Sequence, residues 1–366
     1  MRKCLNVGVM GCGNISEIYF KMSKTFPVLN VVACADLDIT RALDKASLHG
    51  LCAMTPEELY ADKTIDIILN LTVPKAHVDV DIKALTSGKH VYAEKPLGVD
   101  LAQGKKVIEL ARKLHLRVGS APDTFLGAGI QTCRKIIEDG LIGKPIAAEA
   151  FMVCSGHESW HPSPEFYYEK GGGPMLDMGP YYLTALVNLL GPAKKTAAMA
   201  VKSFKERIIT SKPKFGKHVK VETPTHLTGA VEFKEGAVAT LIMSFDVKRS
   251  VLPRIEIHGT EGSIVVPDPN TFGGPVKLFN KKTKDWKEMP LPFNYAKNTR
   301  SLGLADMAQG IISGRKHRAS GELALHVLET MLSFEKSYKT GKHIEIKNSC
   351  QKPAPFPLKM KKGILD

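Results

Sequence analysis

The segment LNVGVMGCGNIS, residues 5–16, joins a short β-rich run to a glycine turn. Its glycines form the pattern Gly11-x-Gly13-x-x, and Ser16 stands where a dinucleotide-binding fingerprint has a third glycine. Such a turn needs Gly11 for a tight bend, Gly13 for close approach of the backbone to a pyrophosphate, and a small third residue for helix packing. The segment therefore predicts a dinucleotide-binding β-α unit at the start of the chain.

The first third of the chain alternates β-rich runs with helical ones, which is typical of a parallel α/β sheet. The strand candidates are 5–10, 29–35, 65–72, 90–93 and 117–121. Asp36 follows the second run, about 20 residues after the glycines, where a carboxylate accepts hydrogen bonds from the adenosine ribose. Asp36 should repel a 2′-phosphate, which favours NAD over NADP. Two alternatives stay open: Arg41 could weaken that preference, and Asp36 could cap the next helix.

The pattern changes to α+β after about residue 123. A helix at about 127–139 and a strand at 146–153 precede a glycine-rich segment, a helix that ends at Leu190, and then mostly strands. Those strands include 226–233, 237–245, 254–258 and 263–266, and helices at 302–313 and 321–338 follow. We expect a doubly wound parallel sheet in residues 1–123, an α+β domain with an open, mostly antiparallel sheet in 124–366, and a trailing arm at 353–366.

The composition narrows the function. No apolar run approaches the about 20 residues that cross a bilayer, and the N-terminus lacks a signal-peptide pattern. The seven cysteines are scattered without a CxxC pair, which is typical of a reducing compartment. The net charge of +14 is spread along the 366 residues without a helix-turn-helix, RNP or zinc-finger pattern. We expect a cytoplasmic protein that binds neither membranes nor nucleic acids.

Two further segments, together with the glycine turn and Asp36, form a recognisable set of motifs. Glu94-Lys95-Pro96 follows a strand, which places a lysine at the carboxyl edge of the parallel sheet, where doubly wound folds bind ligands. The second segment is GGGPMLDMG, residues 171–179. With the glycine turn and Asp36, these segments resemble the Gfo/Idh/MocA oxidoreductases, named after glucose-fructose oxidoreductase and inositol dehydrogenase. The resemblance extends from residue 5 to about residue 347.

The resemblance implies an N-terminal Rossmann domain, a C-terminal sheet that builds a dimer or tetramer, and a substrate held between NAD and that sheet. It implies a set of cofactor contacts: Gly8, Gly11, Gly13, Asn14, Ile15, Asp36, Leu71, Thr72, Pro74, His77, Glu94 and Lys95. It also implies substrate contacts from Lys95, Asp123, Thr124, Asp177 and Tyr181. His77 has an alternative interpretation as a capping or core histidine.

The sequence departs from the family at the catalytic histidine, because Tyr181 ends the motif DMGPY, residues 177–181. In the usual scheme a histidine takes the hydroxyl proton while hydride leaves the same carbon, and a lysine polarises the oxygen. Either Tyr181 relays the proton with help from Lys95, or Lys95 is the base. We favour Lys95, with a pKa lowered by burial and by the cationic nicotinamide.

Asp177 and Tyr181 are four residues apart, so a helix presents them on one face. Asp177 could contact the substrate, cap a helix that opens at Met178, or do both.

The segment HESWH, residues 157–161, matches the HExxH motif of zinc proteases. Zinc binding needs this motif on a helix, whereas Gly156 before it and Pro162-Ser163-Pro164 after it predict a loop, so we expect no metal. The segment suits a sugar-binding wall better, since its neighbourhood combines flat apolar faces with polar tips: Trp160, His161, Phe166, Tyr167 and Tyr168. His161 could also supply the imidazole that is missing at Tyr181.

These patterns predict an NAD-dependent dehydrogenase that moves hydride between the nicotinamide and a secondary hydroxyl or ketone carbon of a sugar or glycoside. C3 of a glucosyl unit is one candidate position. A dehydrogenase of inositol, another polyol or a pentose is an alternative. A non-catalytic, NAD-sensing regulator is another, because of Tyr181, although Glu94-Lys95-Pro96 and Asp177 favour catalysis.

Overall fold

The computed structural model describes residues 4–358 and 360–366. The N-terminal part holds a six-stranded sheet, with strands β1 (Leu5–Met10), β2 (Leu29–Ala35), β3 (Cys52–Met54), β4 (Ile67–Asn70), β5 (His90–Ala93) and β6 (Val118–Ser120). All neighbouring strands are parallel, in the order β3-β2-β1-β4-β5-β6. This order confirms the predicted Rossmann sheet, in which ligands bind at the carboxyl edge where the strand order reverses.

Helices connect these strands: α1 (Ser16–Ser23), α2 (Ile39–His49), α3 (Pro56–Ala61), α4 (His77–Thr86) and α5 (Leu101–Lys113). Local signals fix their starts. Thr55 and Glu58 form a reciprocal capping box at α3, with Pro56 in the first turn. Asp38, and not Asp36, caps α2 by accepting a hydrogen bond from the N–H of Thr40.

The second sheet has nine strands, β16-β15-β14-β13-β7-β12-β11-β8-β17 in order, and β9 and β10 pair separately. These strands are β7 (Pro145–Val153), β8 (Ala193–Val201), β9 (Glu206–Ile208), β10 (His218–Lys220), β11 (His226–Phe233), β12 (Val238–Ser244), β13 (Ile255–Gly259), β14 (Gly262–Val266), β15 (Lys277–Asn280), β16 (Lys287–Glu288) and β17 (Ile344–Glu345). Only β7 and β12 pair in parallel, so the prediction of a mostly antiparallel sheet is confirmed.

Four helices complete the fold: α6 (Ala128–Glu138), α7 (Gly173–Leu190), α8 (Leu302–Ser313) and α9 (Gly321–Thr340). Helices α6, α7 and α9 pack against strands of the second sheet, and α9 also contacts α5 and β6 of the first. Leu186 and Phe334 are fully buried in this layer. The two sheets are therefore joined through a shared helical layer. None of the helices that the structure describes is both long and apolar enough to span a bilayer.

Two local predictions are wrong. Helix α7 begins at Gly173 rather than at Met178, so Asp177 lies inside the helix and does not cap it. The segment 353–366 has no regular structure where it is described, but it packs on the body instead of trailing: Phe356 and Leu365 are buried, and Asp366 forms an ion pair with Arg318.

Candidate active site

The glycine turn leaves an open cradle at the end of β1. Gly11 has a φ of +101°, and a Cβ there would lie 2.8 Å from the backbone of Leu71, so only glycine fits. A Cβ added at Gly13 would meet no heavy atom within 4 Å. Ser16 is buried, and its hydroxyl donates to the carbonyl of Gly13 at 2.7 Å. The serine thus fits the packed third position and leaves the space beside Gly13 open.

Asp36 stands directly beside this turn. Its carboxylate accepts hydrogen bonds from the N–H of Cys12 at 2.8 Å and from the N–H of Asp38 at 3.0 Å. Arg41 is turned toward Asp38, 3.4 Å away, and not toward Asp36. Asn14 and Ile15 are exposed at the start of α1, where free backbone N–H groups attract an anion. The open cradle and the half-buried carboxylate fit a dinucleotide with free ribose hydroxyls.

Gly8 and His77 lie differently from the cofactor positions expected for them. Gly8 is in the middle of β1, and a Cβ there would lie 2.9 Å from the side chains of Leu59 and Ile65. It is a packing glycine beneath α3. The ring of His77 is fully buried, with its nitrogens 2.7 Å from the carbonyl oxygen of Pro96 and 3.0 Å from that of Thr72. His77 is therefore a core histidine, as the alternative interpretation had it. Its two hydrogen bonds connect the loops that follow β4 and β5.

Lys95 is held in place from both sides. Glu94, buried beside it, accepts hydrogen bonds from the hydroxyl of Tyr19 at 2.8 Å and from the N–H of Lys95 at 2.9 Å. The Lys95 Nζ donates to the carbonyl oxygen of Asp177 at 2.8 Å and to its Oδ1 at 2.9 Å. The same Nζ lies 5.3 Å from the ring centroid of Tyr181. The structure therefore brings together the three residues predicted from EKP and DMGPY.

In the absence of cofactor, the charge state of Lys95 favours an ammonium group over the neutral amine that a base needs. Burial by itself lowers the pKa of Lys95, but Asp177, Tyr181 and Glu94 outweigh it and raise the pKa well above its ordinary value. Burial opposes ionisation of Asp177 as well, yet Lys95 and His157 lower its pKa to about 2. Without the cofactor, Lys95 and Asp177 thus form a charged pair, because each opposite charge outweighs the other's desolvation.

Tyr181 is a buried phenol with a cation on each side. Burial and Glu94 raise its pKa, and the opposite effects of Lys95 and Arg300 offset that rise only in part. The Nη2 of Arg300 lies 3.5 Å from the phenol oxygen, and it donates at 2.9 Å to Oδ1 of Asn270. The sequence analysis missed Arg300, because it is 119 positions beyond Tyr181 in the chain and follows a segment without a motif.

These groups line a cavity of about 630 Å³ that reaches from Thr72 and Pro74 to the second sheet. Trp160 and Phe166 line its outer wall and are 61% and 43% exposed, so both offer free aromatic surface. Asn270, Arg254 and Arg300 also line the cavity and supply polar groups. The cavity therefore combines aromatic faces with fixed polar groups, as sugar-binding sites do.

The histidine at the cavity is His157 and not His161. His157 is buried beside Tyr167, with Nε2 3.5 Å from Oδ2 of Asp177. His161 does not line the cavity, and its Nδ1 accepts a hydrogen bond from the N–H of Ser163. Tyr168 is also behind the wall, fully buried, and donates to Glu158 at 2.7 Å.

The HExxH segment forms a loop, as predicted. Its glutamate, Glu158, is bound by Arg207 at 2.9 Å as well as by Tyr168. The carboxylate therefore fixes the loop to β9, the strand that carries Arg207. In the part of the chain that the structure describes, no group of three or more His, Cys, Asp or Glu side chains is arranged to hold a metal ion.

Asp123 and Thr124 are buried behind the site. Asp123 accepts hydrogen bonds from the N–H groups of Ser301 at 3.1 Å and Gly303 at 3.0 Å, and burial raises its pKa to about 6. It therefore holds the start of α8, directly after Arg300, and does not line the cavity.

Comparison with known proteins agrees with this geometry. Residues 5–121 match the model of an oxidoreductase family with an NAD-binding Rossmann fold, and residues 130–265 match the GFO/IDH/MocA C-terminal domain. The chain belongs to the GFO/IDH/MocA oxidoreductase family. It is thus an NAD-dependent oxidoreductase.

The individual relatives described next have low sequence identity to this chain. The chain is 28% identical to 1,5-anhydro-D-fructose reductase of Ensifer adhaerens over 304 residues, which cover 81% of this chain and 84% of that one. It is 24% identical to myo-inositol 2-dehydrogenase of Thermotoga maritima over 71% of this chain and 74% of that one. A solved levoglucosan dehydrogenase complex with NADH and L-sorbose shares the fold, with a TM-score of 0.80 and 18% identity over 95% of this chain and all of the other.

Proposed function

We propose that this enzyme oxidises a secondary hydroxyl of a sugar, glycoside or polyol, or reduces the corresponding ketone, with NAD as the hydride carrier. One observation carries the proposal: a charged Lys95 and the phenol of Tyr181 face one cavity at the carboxyl edge of the Rossmann sheet. The names of the relatives support the substrate class, since they include an anhydrofructose reductase and an inositol dehydrogenase.

Lys95 binds and polarises the reacting oxygen. An ammonium group has three N–H donors, and Asp177 accepts from Lys95 at two positions, its backbone oxygen and Oδ1. The remaining donor serves the substrate hydroxyl or ketone oxygen. Because Asp177 keeps Lys95 charged, the ammonium stabilises negative charge that develops on that oxygen.

Tyr181 carries the proton. In oxidation its phenolate takes the proton of the substrate hydroxyl, whose O–H bond the contact with Lys95 weakens. In reduction its phenol returns that proton. Lys95 and Arg300 stabilise the phenolate against burial. NAD, when bound, accepts the hydride from the same carbon. In this proposal the dinucleotide lies beside six residues: Asn14, Ile15, Asp36, Leu71, Thr72 and Pro74.

The wall of Trp160, Phe166 and Tyr167 selects for the flat face of a ring. Sugar C–H groups pack on aromatic faces, and the hydroxyl groups then face the polar side at Asn270 and Arg254. This arrangement accepts a glycoside, because the exposed Trp160 leaves room for an aglycone, and it accepts inositol or a pentose equally well in shape. Residues 1–123 would carry NAD and residues 124–366 the substrate, in a cytoplasmic enzyme.

We also propose that a second copy of this chain covers the outer face of the nine-stranded sheet. The strand register aligns Met199, Thr228 and Ile242 in one row across β8, β11 and β12. Met199 is 78% exposed there, away from the helical layer. Light scattering of the full chain should give the mass of a dimer or tetramer. The M199E substitution should shift the assembly toward monomer. A monomeric wild-type chain would contradict this interface.

An absorbance screen for NADH tests the function. The full chain is mixed with NAD and a panel of pyranoses, glycosides, pentoses and inositols, and in the reverse direction with NADH and their keto forms. Turnover with at least one member supports the proposal, and the panel ranks the substrate classes. Tight NAD binding without turnover on any member would contradict it and favour the NAD-sensing regulator.

A further inference from the structure

A second cavity, of about 670 Å³, lies away from the active site. Its walls are the end of α5, the amino end of β6, the loop between α8 and α9, and the segment 349–354. In a parallel sheet the amino ends of the strands lie opposite the carboxyl edge that carries Lys95. The cavity is therefore separate from the NAD and substrate cleft.

Six basic side chains are among the residues that line this cavity: Arg112, Arg117, Lys316, His317, Arg318 and Lys352. We call this set the basic groove. Glu322 is the one carboxylate among the described lining residues, and it pairs with Arg112 at 3.3 Å. Arg318 is neutralised from behind by Asp306 and Asp366. The charge of Arg117, Lys316 and Lys352 is left without a lining counterion.

The partners of these three cations are neutral oxygen atoms. Lys316 donates to the side-chain oxygen of Gln351 at 3.1 Å, Lys352 donates to the carbonyl of Leu189 at 3.0 Å, and Arg117 donates to the carbonyl of Arg315. None of the three forms an ion pair with a carboxylate of residues 4–358 or 360–366.

Burial makes the charge of two of these cations costly. Burial lowers the pKa of Lys352 and Arg134 lowers it further, while Glu235 and Glu138 offset only part of the effect; burial likewise lowers the pKa of Arg117, with Arg315 as a further cause and Asp306 as a partial offset. Positive charge that is only partly compensated in a cavity is relieved by a bound anion. A dianion would satisfy it better than a single carboxylate, because cations from three segments of the chain line the same cavity.

We propose that the basic groove binds the phosphate group of a small phosphorylated metabolite. Phosphate oxygens accept several charge-assisted hydrogen bonds at once, with Arg117 as a planar fork and the two lysines as point charges. The cavity volume is within the range that holds a small-molecule ligand. The site joins the Rossmann sheet to the loop before α9 and to the C-terminal arm, so its occupancy would stabilise that junction.

Calorimetric titration of the full chain tests this site. The chain is first saturated with NADH, so that the pyrophosphate-binding turn at Gly13 is occupied, and inorganic phosphate or glucose 6-phosphate is then added. We expect saturable binding that does not displace NADH, and binding about tenfold weaker in K316Q/K352Q. The control K281Q/K282Q removes the same charge at the tip of the β15–β16 hairpin and should bind as the wild type does.

Three results would overturn the proposal: no saturable binding to the wild type, equal weakening in the control, or citrate binding as tightly as both phosphates. Binding of glucose 6-phosphate but not of inorganic phosphate would support a sugar phosphate as the ligand, and equal binding of both would support recognition of the phosphate alone. Because Lys352 also anchors the C-terminal arm, the exposed K316Q is tested alone, and it should weaken binding without lowering the melting temperature.

Discussion

Lys95 and Asp177 are a charged pair in which the lysine still has one free donor. Their contacts, to the backbone oxygen and to Oδ1 of Asp177, hold the ammonium at a fixed place on α7. A fixed charge stabilises a developing alkoxide without reorganisation at the moment of reaction. The chemistry of the site therefore depends on a lysine that stays protonated, with Tyr181 as the group that changes its protonation.

Replacing Lys95 with methionine removes this charge and keeps the length of the side chain. We expect kcat to fall by about 10²–10³, the typical loss when one preorganised electrostatic contact is removed. The affinity for NAD should change little, as measured by fluorescence titration. K281M, on the exposed hairpin, is the control and should keep wild-type kcat. A K95M variant with wild-type kcat would exclude Lys95 from the reaction.

Arg300 should set the pH dependence of the reaction through Tyr181. The guanidinium lowers the pKa of the phenol against the raising effect of burial, so R300Q should raise that pKa further. Oxidation needs the phenolate, so the limb of the profile on which the oxidation rate rises with pH should move to higher pH in R300Q. R300K, which keeps the charge, should restore part of the shift. A profile of kcat against pH that is unchanged in R300Q would contradict this role.

At the residue scale the sequence predicted which groups meet, but not their charges. The resemblance of EKP and DMGPY to the family motifs implied that Lys95, Asp177 and Tyr181 meet at the reacting carbon. A lowered pKa of Lys95 was expected beside the cationic nicotinamide; without the cofactor, Asp177, 82 positions away in the chain, outweighs burial and raises that pKa. His157 was missed in favour of His161 because a loop without periodicity does not indicate which of two histidines turns inward.

At the scale of structural elements, the turn after β1 contains one glycine that folding requires, Gly11, and one that cofactor binding requires, Gly13. G11A should destabilise the chain, because its Cβ would lie 2.8 Å from the backbone of Leu71 at a positive φ. G13A should fold normally, since its Cβ meets nothing, but it should bind NAD at least about tenfold more weakly by filling the space for the pyrophosphate. Thermal melting and NAD titration measure both effects. Wild-type NAD affinity in G13A would place the cofactor elsewhere.

Helix α4 has a buried acid that should make stability depend on pH. Asp81 on α4 accepts a hydrogen bond from Asn70 at 2.7 Å, its second oxygen has no partner, and burial raises its pKa to about 7. The unfolded chain then releases the proton near pH 4 and the folded chain only near pH 7. Stability contributed by the protonated acid is therefore lost as the pH rises through this window, by up to about 4 kcal/mol.

The isosteric variant D81N has no such proton. Its free energy of unfolding, measured in urea at pH 5 and pH 8, should fall less between the two pH values than that of the wild type. At pH 8 the variant should be the more stable of the two. An equal decline in both proteins would assign the pH dependence to other groups.

The strands of the first sheet show which elements a sequence predicts well. The predicted bounds of β1, β2 and β5 match the structure, because each is a short apolar run bounded by turn residues. In contrast, β8 was not identified separately: its sequence AKKTAAMAV lacks large apolar residues at the alternate positions. Its place in the sheet depends on pairing with β11, a contact across the chain that a local pattern does not contain.

In the molecule as a whole, the active-site cavity depends on two sheets held in one arrangement. Helix α9 packs on both, and the C-terminal arm adds Asp366, which binds Arg318 in the loop before α9. The arm was predicted to trail because its proline-rich sequence has no periodicity. Phe356 packs under Arg318, with 4.4 Å between the guanidinium and the ring centroid, so tertiary contacts order a segment that local propensity does not.

Transfer of deuterium from carbon to NAD tests the central claim most directly. The full chain is incubated with NAD and uniformly deuterated sugars, pentoses and inositols, and the isotope content of the NADH formed is measured by mass spectrometry. The account predicts one deuterium per NADH from at least one of these compounds, and NADH formation slower by about 10²–10³ with K95M. A chain that binds NAD yet transfers no deuterium from any of them would contradict it.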